Sequence, residues 1–180
     1  MISKYSIISN DNYASIAVSS ILDEMLSNIV GDDYIKYINI IIFSDCSLWD
    51  VFQIHCSLDK TKHYILISNP RIFRVLSKTG VYDFIDISMP FSYIRNKLYS
   101  LIKHPEFYPL SSVVNVHEVF SYKEKLVLKY LLRGICVTAI ANITGIGVKS
   151  VSNKKVRVMN KLNVSSVQQL YIKLKCMGAI

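Results

Sequence analysis

The segment from Gly147 to Val164 combines positive charge with a helical spacing of apolar residues. It contains five lysines and arginines in eighteen residues, together with hydroxyl and amide side chains. Ammonium and guanidinium groups bind phosphates through charge alone, whereas base edges are read by amide, hydroxyl and methyl groups at defined positions. A segment that carries both kinds of group has the chemistry to bind DNA and to distinguish sequences.

A helix over Val148–Leu162 would place these groups on two sides. At about 100° per residue, Val151, Val158 and Leu162 point to one side. Lys155 lies at the edge of that side, where its methylene stem can be buried while its ammonium group stays outside. Five residues fall on the opposite side, and these are Lys149, Ser152, Asn153, Val156 and Asn160.

The exposed side chains have different uses on a DNA duplex. Asn153 can form a bidentate pair with adenine, Ser152 can bond several bases, and Val156 can pack on the methyl group of thymine. The cations would hold phosphates. The residues predicted to contact DNA are Lys149, Ser150, Ser152, Asn153, Lys154, Lys155, Val156 and Arg157. A solvated basic helix is the alternative, and it explains the charges but not the adjacent turn signal at Gly145.

Charge is divided unequally along the chain of 180 residues, which is 51% hydrophobic and has a formal net charge of +8. Residues 1–119 hold 10 Lys/Arg against 12 Asp/Glu, whereas residues 120–180 hold 11 against one, Glu124. A folded segment this basic predicts an anionic partner, with nucleic acid ahead of a membrane surface.

Residues 120–180 are predicted to form four helices. A capping box at Ser121–Glu124 starts the first helix, which ends before Gly134. The helices are expected over Tyr122 to about Leu132, about Val137–Thr144, Val148–Leu162 and from Ser165 or Ser166 to about Lys175, with Gln168 or Gln169 at the third position of the last. The second and third helices are joined through Gly145, as in a helix-turn-helix.

The first hundred residues alternate short β-branched runs with helical patterns, which predicts an α/β domain with a parallel sheet and flanking helices. Strands are expected at Tyr5–Ile8, Ile38–Phe43, Tyr64–Ser68 and Tyr82–Ile87, and helices at Tyr13–Asn28, Leu48–Cys56, Pro70–Ser77 and Tyr93–Lys103. The uninterrupted apolar run Ile38–Phe43 is typical of a central strand. The predicted domains are residues 1–104 and 120–180, with a proline-containing linker at 105–119.

Residues 120–171 resemble the helix-turn-helix domain of LuxR/FixJ-type bacterial transcription regulators. The matching residues are Glu124, Leu128, Gly134, Ile140, Ala141, Ile146, Ser150, Val151, Lys161, Leu162, Val164 and Leu170. The resemblance implies that Val148–Leu162 is the recognition helix, with Ser152, Asn153 and Val156 facing bases. It also implies a dimer contact on the last helix through Val167, Leu170 and Tyr171. Gly147 departs from the family pattern, which usually has a capping serine or threonine there.

The first domain resembles a phosphoacceptor receiver that lacks part of its chemistry. A receiver needs an acidic pair for Mg²⁺, an acceptor aspartate and a lysine. This chain offers Asp11 alone for the pair, and Met89 stands where the lysine is expected. Asp45 is the possible phosphoacceptor, although Ser44 fits the strand register equally well. About nine residues precede Ile38 after the first helix, too few for the usual strand and helix, so a shortened, phosphorylation-independent pseudo-receiver is expected.

No catalytic set or metal site is recognisable in the sequence. Cys46, His55, Cys56 and His63 match no common zinc spacing, and no cofactor is predicted. The cysteines are expected to be reduced thiols, and no run reaches the roughly 18 apolar residues of a membrane span. A cytoplasmic, non-enzymatic regulator is therefore predicted.

The expected partners are double-stranded DNA and other proteins. The family resemblance implies RNA polymerase as one partner, and a dimer formed with a second copy or with another LuxR-type regulator. The layout is also similar to that of auxiliary regulators of the Rcs type. The alternative function is therefore a protein-interaction adaptor that forms a heterodimer with a full-length response regulator.

Overall fold

The computed structural model describes residues 5–27, 38–59, 61–77, 79, 82–103 and 119–179. The chain divides into two compact units, Met1–Ser112 and Val113–Ile180. The division falls within the predicted linker at 105–119, of which only residue 119 is described.

The first unit contains a four-stranded parallel sheet with strands in sequence order. Its elements are β1 (Tyr5–Ser9), α1 (Asn12–Ser27), β2 (Ile38–Phe43), α2 (Leu48–Ser57), β3 (Tyr64–Ser68), α3 (Pro70–Leu76), β4 (Tyr82–Asp86) and α4 (Phe91–Lys103). All eight predicted elements are present, and the predicted shortened α/β fold is confirmed. Ser47 and Asn69 cap α2 and α3 by accepting hydrogen bonds from backbone amides.

The strand β2 occupies the interior of this sheet, as its apolar run predicts. It pairs in parallel with β1 and with β3, and each of its residues is buried. Strands buried on both faces lack the alternation of half-exposed strands, because helices cover both sides of a parallel sheet.

Helices cover the two faces of the sheet in pairs. Leu22 of α1 and Leu98 of α4 pack in one cluster with Ile85 of β4. The neighbouring residue Phe84 points to the other face, where its ring stacks on Phe73 of α3 with 4.1 Å between centroids. On that face Tyr82 also bonds His55 of α2, with 2.6 Å between Oη and Nδ1. Thus α1 and α4 lie on one face, and α2 and α3 on the other.

The placement of α1 gives this sheet an unusual topology. Each successive strand is added on the same side of the strand before it, yet α1 and α2 cover opposite faces of the sheet. The β1–α1–β2 crossover therefore has the opposite hand from β2–α2–β3, although nearly all parallel crossovers are right-handed. A strand on the far side of β1, reached through α1, would remove the conflict, but the described residues contain no such strand.

The second unit consists of four described helices: α5 (Tyr122–Leu131), α6 (Val137–Thr144), α7 (Val148–Lys161) and α8 (Val167–Cys176). The predicted four-helix arrangement is confirmed. One part of the core joins α5, α7 and α8 through Phe120, Leu128, Val158, Leu162, Val164, Leu170 and Leu174. The other joins α5, α6 and α7 through Val127, Leu131, Ile140, Ala141 and Val151.

Side-chain caps begin the outer two of these helices. At α5 the predicted capping box is present, with Ser121 and Glu124 bonding each other's backbone amides. At α8 the structure distinguishes between the alternatives, because Ser166 accepts the amide of Gln169 at 3.1 Å. The Gln169 side chain in turn accepts from the amide of Ser165 at 2.8 Å.

All four cysteines are free thiols. Within the described part of the chain, no helix is both long and apolar enough to cross a membrane.

Candidate nucleic-acid interface

The helix α7 has one buried and one exposed side. Val151 and Val158 are fully buried, and Leu162 just beyond the helix is almost fully buried. The exposed side carries Lys149, Ser152, Asn153, Val156, Arg157 and Asn160. The buried residues join α7 to α5, α6 and α8, so the exposed side is held at the surface by the core.

Four exposed residues, Lys149, Asn153, Val156 and Asn160, lie along the middle of the outward side, and we call the first three of them the reading stripe. Their spacing of four and three residues places them on one face of a helix. At about 1.5 Å per residue, the stripe is about 10 Å long, which corresponds to about three base pairs. Ser152 and Arg157 lie on either side of it, so hydroxyl and guanidinium groups border the stripe.

Three of the predicted DNA contacts, Ser150, Lys154 and Lys155, are half-buried. The Nζ atom of Lys154 donates to the Oγ atom of Ser150 at 2.9 Å. This bond holds the ammonium group along the flank of α7 and engages the serine hydroxyl. The ammonium group of Lys154 therefore lies away from the middle of the outward side of α7.

The two helices of the helix-turn-helix begin without side-chain caps among the described residues. Cys136 precedes α6 and Gly147 precedes α7, and neither offers a capping bond. The turn between the helices depends on Gly145, whose φ of 68° lies in the left-handed region that favours glycine. Backbone amides at an uncapped helix start attract anions, and phosphates of DNA are bound in this way.

The sole acid of residues 120–180, Glu124, is withdrawn from the surface. Its carboxylate lies 2.7 Å from the ammonium group of Lys161 and accepts the amide of Ser121 at 2.8 Å. Burial raises the pKa of Glu124, but the hydrogen bonds from Lys161 and Ser121 outweigh burial, so the pKa lies below its ordinary value. The exposed cations of α7 therefore face solvent with no carboxylate side chain of residues 120–179 exposed beside them.

The residues predicted for a dimer contact on α8 have different environments. Leu170 is fully buried in the core of its own unit, whereas Val167 and Tyr171 are half-buried. The Nζ atom of Lys175 lies over the ring of Tyr171 at 5.3 Å. A dimer contact through α8 stays a prediction. Because Leu170 is buried, it could contribute only by holding Val167 and Tyr171 in place and not by touching a second copy.

In the first unit, the residues expected at a receiver site meet at the carboxyl edge of the sheet. Asp45 is exposed after β2, and its backbone carbonyl accepts from the Asn10 side chain at 2.7 Å. The oxygen of the same Asn10 side chain accepts the amide of Ser44 at 3.2 Å. The loops after β1 and β2 are therefore joined, as in parallel sheets whose sites lie at this edge.

The acidic residue after β1 acts as a helix cap. Asp11 accepts the amides of Tyr13 and Ala14 at 2.9 and 3.1 Å. The bond from Ala14 is the main cause that lowers the pKa of Asp11. Met89, where a receiver would have its lysine, is 44% exposed. No group of three or more potential acidic, cysteine or histidine metal ligands occurs among the described residues.

The cysteine and histidine residues of this unit have separate environments. His55 bonds Tyr82 and is buried, whereas His63 pairs with Asp83 at 2.7 Å. Burial, followed by the charges of Asp50 and Asp45, raises the pKa of Cys46 to about 11. A thiol that stays protonated is a poor nucleophile and a poor metal ligand.

Two side-chain contacts of the second unit are not among those predicted from the sequence. The Lys154–Ser150 bond has a signal, because the two residues are four apart on a predicted helix. The Lys161–Glu124 ion pair joins residues 37 positions apart and has no local signal.

The second unit is similar to a known protein family. Residues 118–174 match the family GerE, described as bacterial regulatory proteins of the luxR family. A search of curated protein sequences gives no significant match.

The two-unit fold as a whole has solved counterparts. One is a complex of the two-component response regulator RcsB with DNA, and another contains two RcsB dimers bound to two parallel DNAs. Each has a TM-score of 0.57 and 20% identity, and each comparison covers 96% of this chain and 98% of that chain. At this identity the likeness establishes the fold.

Proposed function

We propose, on the premise that residues 118–174 are a helix-turn-helix domain of the luxR family, that this chain is a sequence-specific DNA-binding transcription regulator. It acts as a dimer in the cytoplasm, without phosphorylation and without catalysis. The observation that carries the proposal is the exposed side of α7, where amide, hydroxyl, methyl and cationic groups are presented together.

The major groove of DNA is the proposed binding site of α7. The groove of B-DNA is about 12 Å wide and accepts one α-helix. With the reading stripe against the base edges, Lys154 and Arg157 lie on one flank of α7 and Lys155 on the other, where phosphate strands border the groove. Asn153 would pair with adenine, and the uncapped amides at the start of α7 would add a phosphate contact.

Two copies of this unit would read a near-palindromic site. Recognition helices of a symmetric dimer enter successive major grooves, which are about 10 base pairs apart. The solved structure of two RcsB dimers bound to two parallel DNAs supports this arrangement by analogy of fold. Val167 and Tyr171 are the half-buried α8 residues available for the contact between copies.

Independence from phosphorylation is supported by the hydrogen bonds that already engage the polar groups at the sheet edge. Asp11 caps α1, Asn10 joins two loops, and Met89 supplies no charge to a phosphoryl group. Asp45 would therefore lack both the lysine and a paired acid for Mg²⁺. The first unit serves as a protein-contact module in this proposal.

A heterodimeric adaptor is the second candidate, favoured by apolar side chains exposed on α1 and α4. Tyr13 and Ile16 of α1 are 87% and 67% exposed, and Phe91 of α4 is 60% exposed. Both helices cover the same face of the sheet. Exposed apolar side chains of this size favour a protein contact, and another LuxR-type regulator has the matching layout. RNA polymerase is a further proposed partner.

Selection from a random DNA library with the purified chain tests the two candidates. An enriched motif with two-fold symmetry supports the dimeric regulator. Salt-sensitive binding without any enriched motif contradicts it and favours the heterodimer, whose partner would supply the other half of the site.

Two variants then test the assignment of α7. Asn153→Ala should weaken binding to the preferred site by about 1 to 3 kcal/mol and leave binding to random DNA unchanged. Lys155→Ala should weaken binding to the preferred site and to random DNA alike. It should also reduce the slope of log affinity against log salt concentration by about one. Lys129→Ala is the matched control, because Lys129 is exposed on the outer side of α5. An equal loss in the control would show that binding follows total charge and not the exposed side of α7.

A further inference from the structure

We infer that Val156 reads the methyl group on carbon 5 of a pyrimidine, so that DNA binding responds to methylation of the DNA at that position. The inference rests on the proposed function and specifies its ligand. A thymine is the ordinary base there, and 5-methylcytosine is accepted in its place because its methyl group occupies the same position in the major groove. Uracil and unmethylated cytosine, which lack the methyl group, bind less well.

The exposure of Val156 is the first observation. Its side chain is 51% exposed at the middle of the outward side of α7, opposite the fully buried Val151 and Val158. Valine is a weaker helix former than alanine or lysine, so local helix stability does not account for it. Burial of its methyl groups on binding a ligand would contribute favourable free energy that is absent in the unbound chain.

The neighbours of Val156 identify what covers it. Lys149 and Asn153 continue the same stripe, and Arg157 follows directly in sequence. An apolar protein surface on Val156 would bury these charged and polar groups without partners, at a large cost. A DNA major groove offers phosphates and base edges to them and has one kind of apolar group, the methyl group of thymine.

The distance between Val156 and Asn153 specifies the site further. Three residues of helix advance about 4.5 Å, slightly more than the rise of about 3.4 Å per base pair. An adenine paired with Asn153 and a methylated pyrimidine on Val156 therefore belong to the same or adjacent base pairs. The core of each half-site is expected to be rich in A·T pairs.

The experiment uses the full chain and the symmetric site obtained by selection. Each thymine of the site is replaced in turn by deoxyuridine, which removes a single methyl group, and the dissociation constant is measured. We expect one position in each half-site at which uracil weakens binding about threefold to fivefold, as for the loss of one buried methyl group. At that position, 5-methylcytosine should bind about threefold to fivefold more tightly than cytosine.

Two variants assign the effect to Val156. In Val156→Ala, the differences between thymine and uracil and between 5-methylcytosine and cytosine should disappear. Val148→Ala is the matched control, because Val148 is also a half-exposed valine of α7, at 48%, but lies at the side of the stripe. It should retain both differences. Neither substitution removes a buried side chain, so both variants are expected to fold.

The outcomes separate this inference from the proposed function. If uracil changes no affinity, or if the differences persist in Val156→Ala, methyl reading by Val156 is overturned while the selected motif still supports sequence-specific binding. If no motif is selected, the proposed function fails and the inference fails with it.

Discussion

The carboxyl edge of the sheet and the exposed side of α7 both carry polar residues, but they use their hydrogen-bonding groups differently. At the edge, Asn10 bonds the main chain of Ser44 and Asp45, and Asp11 caps α1. On α7, Ser152 and Asn153 are exposed, and no described residue bonds their side chains. Groups engaged inside the protein stabilise loops, whereas exposed groups held on a rigid helix remain available to a ligand.

The two regions also differ in charge. Residues 1–119 are nearly balanced in charge, whereas residues 120–180 have eleven cations and one acid. The single acid is buried against Lys161, so the cations of α7 are not offset nearby. This contrast supports the proposal that DNA binding resides in the second unit and that the first unit acts without phosphorylation.

The largest expected effect tests whether the two units are separate. Leu170→Ala should destabilise the second unit by about 2 to 5 kcal/mol, because Leu170 is fully buried in its core. The sole tryptophan, Trp49, lies on α2 of the first unit and reports on that unit alone. In guanidinium unfolding, the midpoint of the Trp49 fluorescence transition should be unchanged. The helical circular dichroism of the second unit should be lost at a lower denaturant concentration.

A shift of the Trp49 transition would instead show that the units unfold together. Tyr171→Ala is the companion variant, since Tyr171 is half-buried on the same helix. It should cost less stability, and a loss of dimer in that variant alone would support the predicted contact on α8.

The next largest effect concerns the buried acid of the second unit. Glu124→Gln should lower its stability at neutral pH by about 1 to 3 kcal/mol, because a hydrogen-bonded charge is lost. Since the pKa of Glu124 is lowered in the folded state, its contribution is present above the ordinary value of 4.5 and is lost as pH falls below it. Thermal unfolding between pH 7 and pH 3 should show a weaker pH dependence in the variant.

Lys161→Ala provides the cross-check for that ion pair. It leaves the Glu124 carboxylate buried without its cation, so the loss should be similar and not additive with Glu124→Gln. Additive losses in the double variant would show that the two side chains act independently.

A smaller effect is expected at the uncapped start of α7. Gly147→Ser should raise the stability of the second unit by roughly a few tenths of a kcal/mol, because serine caps a helix better than glycine. The position has open space for a side chain and a negative φ of −56°. Thermal unfolding measures the gain, and a weaker affinity for DNA in the same variant would support a phosphate contact at these amides.

No effect is expected from a phosphodonor on the first unit. Treatment with a small phosphodonor and Mg²⁺, followed by intact mass measurement, should give no stable gain of a phosphoryl group at Asp45. A Mg²⁺-dependent gain that is absent in Asp45→Ala would contradict the comparison, because the sheet edge would then retain receiver chemistry.

Most element boundaries were predictable because they depend on neighbours in sequence. The capping box at Ser121, the left-handed turn at Gly145 and the apolar run of β2 each place a boundary through local hydrogen bonds or hydrophobic pattern. The same local pattern separates the two sides of α7, since burial follows the period of the helix. The chemistry of the reading stripe was therefore visible in the sequence.

Other features depend on residues far apart in the chain. Leu170 matches the family pattern for a dimer helix, yet its surroundings come from α5 and α7 and place it in the core. Lys161 resembles another DNA-binding cation, but Glu124 engages it from 37 positions away. Lys173 is fully buried although lysine is almost always exposed.

The sequence by itself determined the strands, the helices, the basic second unit and the groups that α7 can present. Only the tertiary structure decided which of those groups remain exposed, which face of the sheet α1 covers, and how the loops around Asp45 are joined. The physical reason is that helix period, caps and turns act over a few residues, whereas burial and ion pairing arise between elements that meet only in the folded chain.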